Sequence, residues 1–198
     1  VEGGTLVLSF LRDGFLVVDA DTGEEKFFSQ IRSPINASVN AASPLVIGRQ
    51  VFVSACYEVG ASLWKLDSNQ AMKSVVNLDL VWKDKGIMDC HYSTPVEYKG
   101  YLFGFHGRQE RGSSLRCIEV ASGEIKWEYR GLGCGNLLRL GDKLVVLSES
   151  GELLILPASP ESFEVLFRQQ VLGVCRAHFA YYKGFILLRD NRRVSCLR

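Results

Sequence analysis

The side chains best equipped for chemistry lie in three short stretches. Asp89, His91 and Tyr92 form one. His106, Arg108, Gln109 and Glu110 form a second, and Tyr57 with Glu58 a third. Histidine changes charge close to neutral pH and serves as a base or a ligand. Arginine offers a planar fork that matches a carboxylate. A group of titratable side chains at the mouth of a channel is a recurring ligand-site pattern. The bland reading is that these residues brace long loops through hydrogen bonds, and both readings stand on residue type alone. The third histidine, His178, is expected in the core or a channel wall.

Other motifs carry less. Asp19, Asp21, Gly23 and Glu24 have the composition of a calcium loop, but the EF-hand pattern needs more carboxylates and a Glu at its twelfth position, so a hairpin turn is expected. Asn36-Ala37-Ser38 is a formal glycosylation sequon. Walker, HExxH and GxSxG motifs are missing from the sequence. The 6 cysteines, Cys56, Cys90, Cys117, Cys134, Cys175 and Cys196, show no CxxC or zinc-type spacing. Buried structural thiols are expected, with a bridge between neighbouring strand units as the alternative. No catalytic residue and no metal ligand is assigned.

Composition narrows the classes further. The 198 residues are 47% hydrophobic and 23% charged, with a formal net charge of +1. That balance gives no electrostatic footprint for nucleic acid. No apolar run approaches the roughly 20 residues of a membrane-spanning helix. Val1-Glu2-Gly3-Gly4 does not read as a signal peptide. Gly is frequent at 19 and Pro scarce at 5, as expected of many tight turns.

The elements that must position these residues come from an internal repeat. Gly48, Gly100, Gly141 and Gly184 each join a short strand to a strongly apolar one. Their spacing of roughly forty to fifty residues fits a propeller blade. A second pattern follows: apolar strand, turn, then a polar-alternating strand ending in an aromatic. Leu115 to Trp127 is its clearest copy and Leu16 to Phe27 opens the chain with another. Leu63 to Trp82 is looser, with a longer loop, and Leu153 to Phe167 is the fourth. Gly suits such turns because two-residue hairpin loops need positive φ. The expectation is an all-β fold, a β-propeller of four-stranded antiparallel blades with strands A to D running outward. The chain holds about 4 to 4.5 blades as a single domain: 1–35 without its A strand, 36–88, 89–131, 132–174, and 175–198 with strands A to C. One helical turn is expected between Pro157 and Val165. Loops entering strand A and loops joining B to C share one face, which would bring the histidine stretches to one rim.

Ser122-Gly123-Glu124-Ile125-Lys126-Trp127 resembles the hallmark of the PQQ-like (quinoprotein-type) repeat, and Thr22-Gly23 with Phe27 resembles it with a conservative change. The other two copies depart from the hallmark, which puts their docking aromatics in doubt. Ser54 to Tyr57, His91 to Pro95 and Gly104 to Glu110 look like a bacterial, outer-membrane-assembly-like branch. The resemblance implies a ring of seven or eight blades at roughly twice this length, with this chain as its C-terminal half. It also implies a periplasmic or extracytoplasmic location. A half ring would leave an apolar blade face open, to be covered by the missing half or by self-association; a closed four-bladed ring is the competing arrangement. Quinone-dependent dehydrogenases of this type use an adjacent Cys-Cys pair, a stacking Trp and a Ca²⁺ ligand set. Cys-Cys does not occur here and PQQ is not expected. The reading is a non-catalytic scaffold that binds a protein or extracellular ligand through its rim loops. The alternatives are a quinoprotein dehydrogenase, or an enzyme acting on glycans or small molecules with the His/Arg/Glu cluster.

Overall fold

The structure, a computed structural model, describes residues 5–67 and 76–198. The loop between Asp67 and the strand bearing Trp82 lies mostly outside the described residues. The chain forms two compact units, Val1–Tyr92 and Ser93–Arg198.

The first unit holds two antiparallel sheets. One is β1 (Leu6–Leu11), β2 (Gly14–Asp19) and β3 (Glu25–Gln30); the other is β4 (Leu45–Ile47), β5 (Gln50–Ala55), β6 (Gly60–Leu66) and β7 (Leu78–Asp84). The second unit holds three. The third sheet is β8 (Val96–Tyr98), β9 (Tyr101–Arg108), β10 (Gly112–Glu119) and β11 (Ile125–Arg130). The fourth is β12 (Gly135–Leu140), β13 (Lys143–Ser148), β14 (Glu152–Pro157) and β15 (Phe167–Gln170). The fifth is β16 (Ala180–Tyr182), β17 (Phe185–Arg189) and β18 (Val194–Leu197). Strands pair in chain order in every sheet, so the expected all-β, bladed architecture is what forms.

Sequence explains this locally. Strands β5, β9, β10 and β13 are largely buried on both faces, as the middle strands of a stacked sheet must be, and their residues are correspondingly apolar. Outer strands β3, β11 and β15 alternate or face water. The hairpin loops at Lys99-Gly100 and Lys183-Gly184 have two residues, both with positive φ. That is the turn whose twist matches paired strands, and Gly carries the conformation without a Cβ clash.

One device recurs in three sheets. The outer strand carries one extra residue opposite the third strand: Lys26 against Val17/Val18, Val81 against Leu63/Trp64, and Lys126 against Cys117/Ile118. Such a bulge re-aims the residue that follows. The following residues are Phe27, Trp82 and Trp127, and each packs inward. Phe27 meets Phe15 and Trp64 at 5.9 and 5.7 Å, Trp82 meets Phe52 at 6.0 Å, and Trp127 meets Phe103 and Phe163 at 5.9 and 5.8 Å. The Trp127 indole N–H also donates to the Ser159 carbonyl at 2.8 Å. The doubt over Trp82 therefore resolves in favour of docking. The fourth copy differs: β14 and β15 pair without a bulge, and Phe167 is exposed.

The turns before these bulges are near-copies. In the first sheet, Asp19 N–H donates to the Glu24 carbonyl and Gly23 N–H to the Asp19 carbonyl, both at 2.9 Å. In the third, Glu119 and Gly123 make the equivalent bonds at 2.8 and 2.9 Å. The Thr22 hydroxyl donates to the Asp19 carboxylate, and the Ser122 hydroxyl to that of Glu119. Asp19 therefore closes a hairpin turn.

Each unit has its own core. Phe10, Phe15, Val17, Val51, Val53 and Trp64 fill the first. In the second, Phe103, Phe105, Leu115, Cys117, Leu144 and Leu154 pack between the third and fourth sheets, and Val145, Leu147, Phe179 and Leu188 join the fourth to the fifth. The helical turn expected between Pro157 and Val165 does not form: the segment, with Pro157 and Pro160, takes an irregular path instead. Among the described residues a 3-10 turn forms elsewhere, at Gln109–Arg111 in the β9–β10 loop. All six thiols are free. Five are buried, and Cys196 is exposed.

Candidate functional site

In the first unit, Tyr57 and Glu58 sit at the centre of the turn between β5 and β6. Both take left-handed φ, 62° and 67°, without being glycine. Such residues cost on the order of 1 kcal/mol each and persist where their surroundings hold them. Several contacts do so. The Tyr57 carbonyl accepts from the Ser33 hydroxyl at 2.5 Å, and Val59 N–H closes the turn onto the Cys56 carbonyl at 3.3 Å. Cys56 N–H donates to the Cys90 carbonyl at 3.1 Å, and its thiol to the Asp89 carbonyl at 3.0 Å. The Tyr57 hydroxyl shares a hydrogen bond of 3.0 Å with His91 Nε2. The His91 ring stands 5.6 Å from those of both Tyr57 and Tyr92. Tyr57, His91 and Tyr92 are thus brought together, and His91 braces the strained turn.

In the second unit, the third sheet has two faces of opposite character. Phe105, Leu115 and Tyr129 form one cross-strand row, and Phe103, Cys117 and Trp127 the next; both turn into the core. The alternate positions carry His106, Ser114 and Arg130 in one row and Gly104, Arg116 and Glu128 in the next. Period-two alternation alone puts these polar residues together. They line a cavity of about 160 Å³ with Arg111, Gly112 and Ser113 from the start of β10 and the 3-10 turn before it.

The charges in this cavity are held in place. The Arg116 side chain is only 8% exposed, and its Nε and Nη2 donate to Glu128 Oε1 at 3.2 and 3.0 Å. Arg130 approaches the same carboxylate, Nε at 3.3 Å and Nη2 at 3.4 Å. The Ser114 hydroxyl at its side, and then the two guanidiniums, hold Glu128 down to about 2 against the cost of partial burial. His106 is pushed down to about 4, chiefly by burial and then by the Arg116 charge. At neutral pH the cavity therefore holds three guanidiniums, one carboxylate and an uncharged imidazole.

The remaining expected residues of the second unit are Arg108, Gln109 and Glu110, in and beside the β9–β10 loop. Arg108 approaches Glu110 at 3.9 Å, and Gln109 reaches Glu149 in the fourth sheet at 3.4 Å. Glu149 is also paired with Arg176. Of the eight expected residues, His106 alone lines the cavity. His178 is exposed, ahead of β16, rather than in the core. Among the described residues no group of His, Cys, Asp and Glu could hold a metal ion. Arg116, Glu128 and Arg130 were missed because they sit inside strands, and Arg111 because it ends the 3-10 turn just before β10. The signal was present: once Cys117 is set opposite Trp127 by the Gly123 turn, Arg116 must face Glu128.

No protein-family model and no curated protein matches the chain. Solved structures do. BamB from Moraxella catarrhalis superposes with a TM-score of 0.68 at 12% identity, over 96% of this chain and 52% of that one. The computationally designed Ika8 protein gives 0.62 at 11% identity, over 92% and 51%. A europium-containing methanol dehydrogenase gives 0.56 at 11% identity, over 83% and 40%. The chain spans about half the length of these structures or less. The likenesses establish the fold, a partial β-propeller. No helix among the described residues is long and apolar enough to cross a membrane.

Proposed function

We propose that this chain is a non-catalytic binding module: propeller blades that offer their loop-bearing ends to a partner protein or an extracellular ligand, without a quinone or a metal. One observation carries the reading, the ion-paired polar face of the third sheet, where the buried Arg116 is held on Glu128 at 3.0 and 3.2 Å. General acid–base catalysis is best served by groups that titrate near the working pH. Glu128 near 2 and His106 near 4 are far from it. Glu128 is a fixed anion and His106 a neutral ring, an arrangement that holds charge for recognition. The likeness to BamB supports a binding role, and with the sequence resemblance it supports a periplasmic or extracytoplasmic setting.

The test has two arms. In the first, PQQ and Ca²⁺ are added to the purified full-length protein while absorbance and thermal melting are followed. No change is expected, and a quinone spectrum or a raised melting temperature would overturn the non-catalytic reading. In the second, the immobilised protein captures partners from an extract of its own source, identified by mass spectrometry. A partner should be retained by Lys99→Ala, which changes a hairpin turn away from the loops named above. It should be lost in His91→Ala or in Arg111→Ala/Arg130→Ala. Retention by all variants alike would remove the rim from the reading.

A further inference from the structure

We infer that the cavity between β9, β10 and β11 is a receptor for one carboxylate, the side chain of an Asp or Glu on a partner protein. This rests on the binding-module reading and names the chemistry of its ligand.

Size comes first. A cavity of about 160 Å³, close to the roughly 150 Å³ of an engineered cavity that holds benzene, has room for one acidic side chain. Charge comes second. Arg111, Arg116 and Arg130 against Glu128, with His106 neutral, leave an excess of two positive charges along the lining. Arg116 is fixed at the buried base by Glu128. Arg130 is 78% exposed at the mouth. Arg111 is exposed there too, and among the described residues it makes no ion pair. At the entrance the Arg111 guanidinium, with the part of the Arg130 guanidinium not turned to Glu128, offers donors to a carboxylate. Gly112, at φ 88°, leaves the entrance beside them open: nothing lies within 4 Å of where a Cβ would stand.

The same donors would grip phosphate. The excess of two positive charges attracts either anion, so the test sets inorganic phosphate against the carboxylate. An isolated acidic side chain binds such a site weakly. It would act within a larger interface, where it sets orientation and rate of encounter.

The test follows the arginine Nε–H resonances of the ¹⁵N-labelled full chain. Three probes are titrated: acetyl-Gly-Gly-Glu-Gly-Gly-amide, its Gln counterpart, and inorganic phosphate. The Glu peptide should shift the Arg111 and Arg130 signals and saturate in the millimolar range, while the Gln peptide leaves them in place. Arg111→Met/Arg130→Met should raise Kd about fivefold to twentyfold. Both side chains are exposed, so the amide spectrum should otherwise be retained. If that double variant fails to fold, Arg111→Glu alone should abolish the shift at Arg130. Equal shifts from the Gln peptide, undiminished binding in the variants, or a response to phosphate alone would each overturn the carboxylate assignment. Failure here with partner capture intact removes this ligand and leaves the module. A positive quinone result removes the module whatever the peptides do.

Discussion

Replacing Glu128 by Gln removes one charge and nearly no volume, so it isolates the electrostatic part of the polar face. Glu128 lies at about 2 instead of the ordinary 4.5. At about 1.4 kcal/mol per tenfold change in proton affinity, that displacement is worth at most about 3.5 kcal/mol. The side chain keeps 26% of its surface in water, and screening there reduces the expected value to about 1.5 kcal/mol. The loss falls on Arg116, which stays buried with an amide oxygen in place of an anion. For a urea dependence of about 2 kcal/mol per M, the midpoint should fall by about 0.8 M at pH 7 with an unchanged slope. The pH dependence supplies the sharper check. A carboxylate whose folded pKa is depressed stabilises the fold above its unfolded pKa and ceases to do so as pH falls through the folded one. The gap between wild type and Glu128→Gln should be full above pH 5, less than half by pH 3, and closed below pH 2. A gap of the same size at pH 3 and pH 7 would mean that packing, not charge, is responsible. So would strict additivity of Glu128→Gln with Arg116→Met in a double-mutant cycle.

Three further outcomes are expected. His106 should titrate near 4 by NMR, and its share of stability should be present above about 6.5 and lost as pH falls through 4, because the unfolded ring takes a proton first; a midpoint near 6.5 would refute the burial argument. Gly107→Ala should lower stability by about 1–3 kcal/mol in thermal melts, since φ is 89° and a Cβ would stand 2.4 Å from the Gly112 carbonyl oxygen; an unchanged melting temperature would show that the β9–β10 loop yields freely. Alkylation of the native protein should label Cys196 first and Cys90 and Cys117 only after denaturant, because burial drives both of those thiols up to about 12; early modification of Cys90 would show that its surroundings open.

Much of the fold was legible because its signals are local. Gly100 and Gly184 mark two-residue turns whose backbone they make affordable, and the Thr22-Gly23 and Ser122-Gly123 turns repeat their hydrogen bonds. The aromatic four residues past that glycine is equally local in sequence, but the reason it docks is the bulged residue before it, visible only once strands are paired. Phe167 shows the converse: an aromatic in the expected place stays exposed where the bulge is missing. The cavity was hidden for a related cause. Loop residues were sought because loops carry function, whereas Arg116 and Glu128 occupy mid-strand positions, twelve residues apart, whose meeting depends on register. Tyr57 and His91 were found as candidates from their types; their hydrogen bond was not, because it depends on a left-handed turn at two residues that ordinarily avoid it.

The extra residue ahead of Trp127 makes the third sheet unequally tolerant of different genetic changes. Exchanging Lys126 for another polar residue leaves the chain count intact and should pass almost unnoticed. Deleting it would shift the rest of β11 by one position, sending Glu128 and Arg130 toward the oily side and Trp127 toward water. Drift by substitution is open to this lineage at that point, while changes of length are closed. The same should hold at Lys26 and Val81, so the repeat period is guarded at the outer strand more strictly than its letters are.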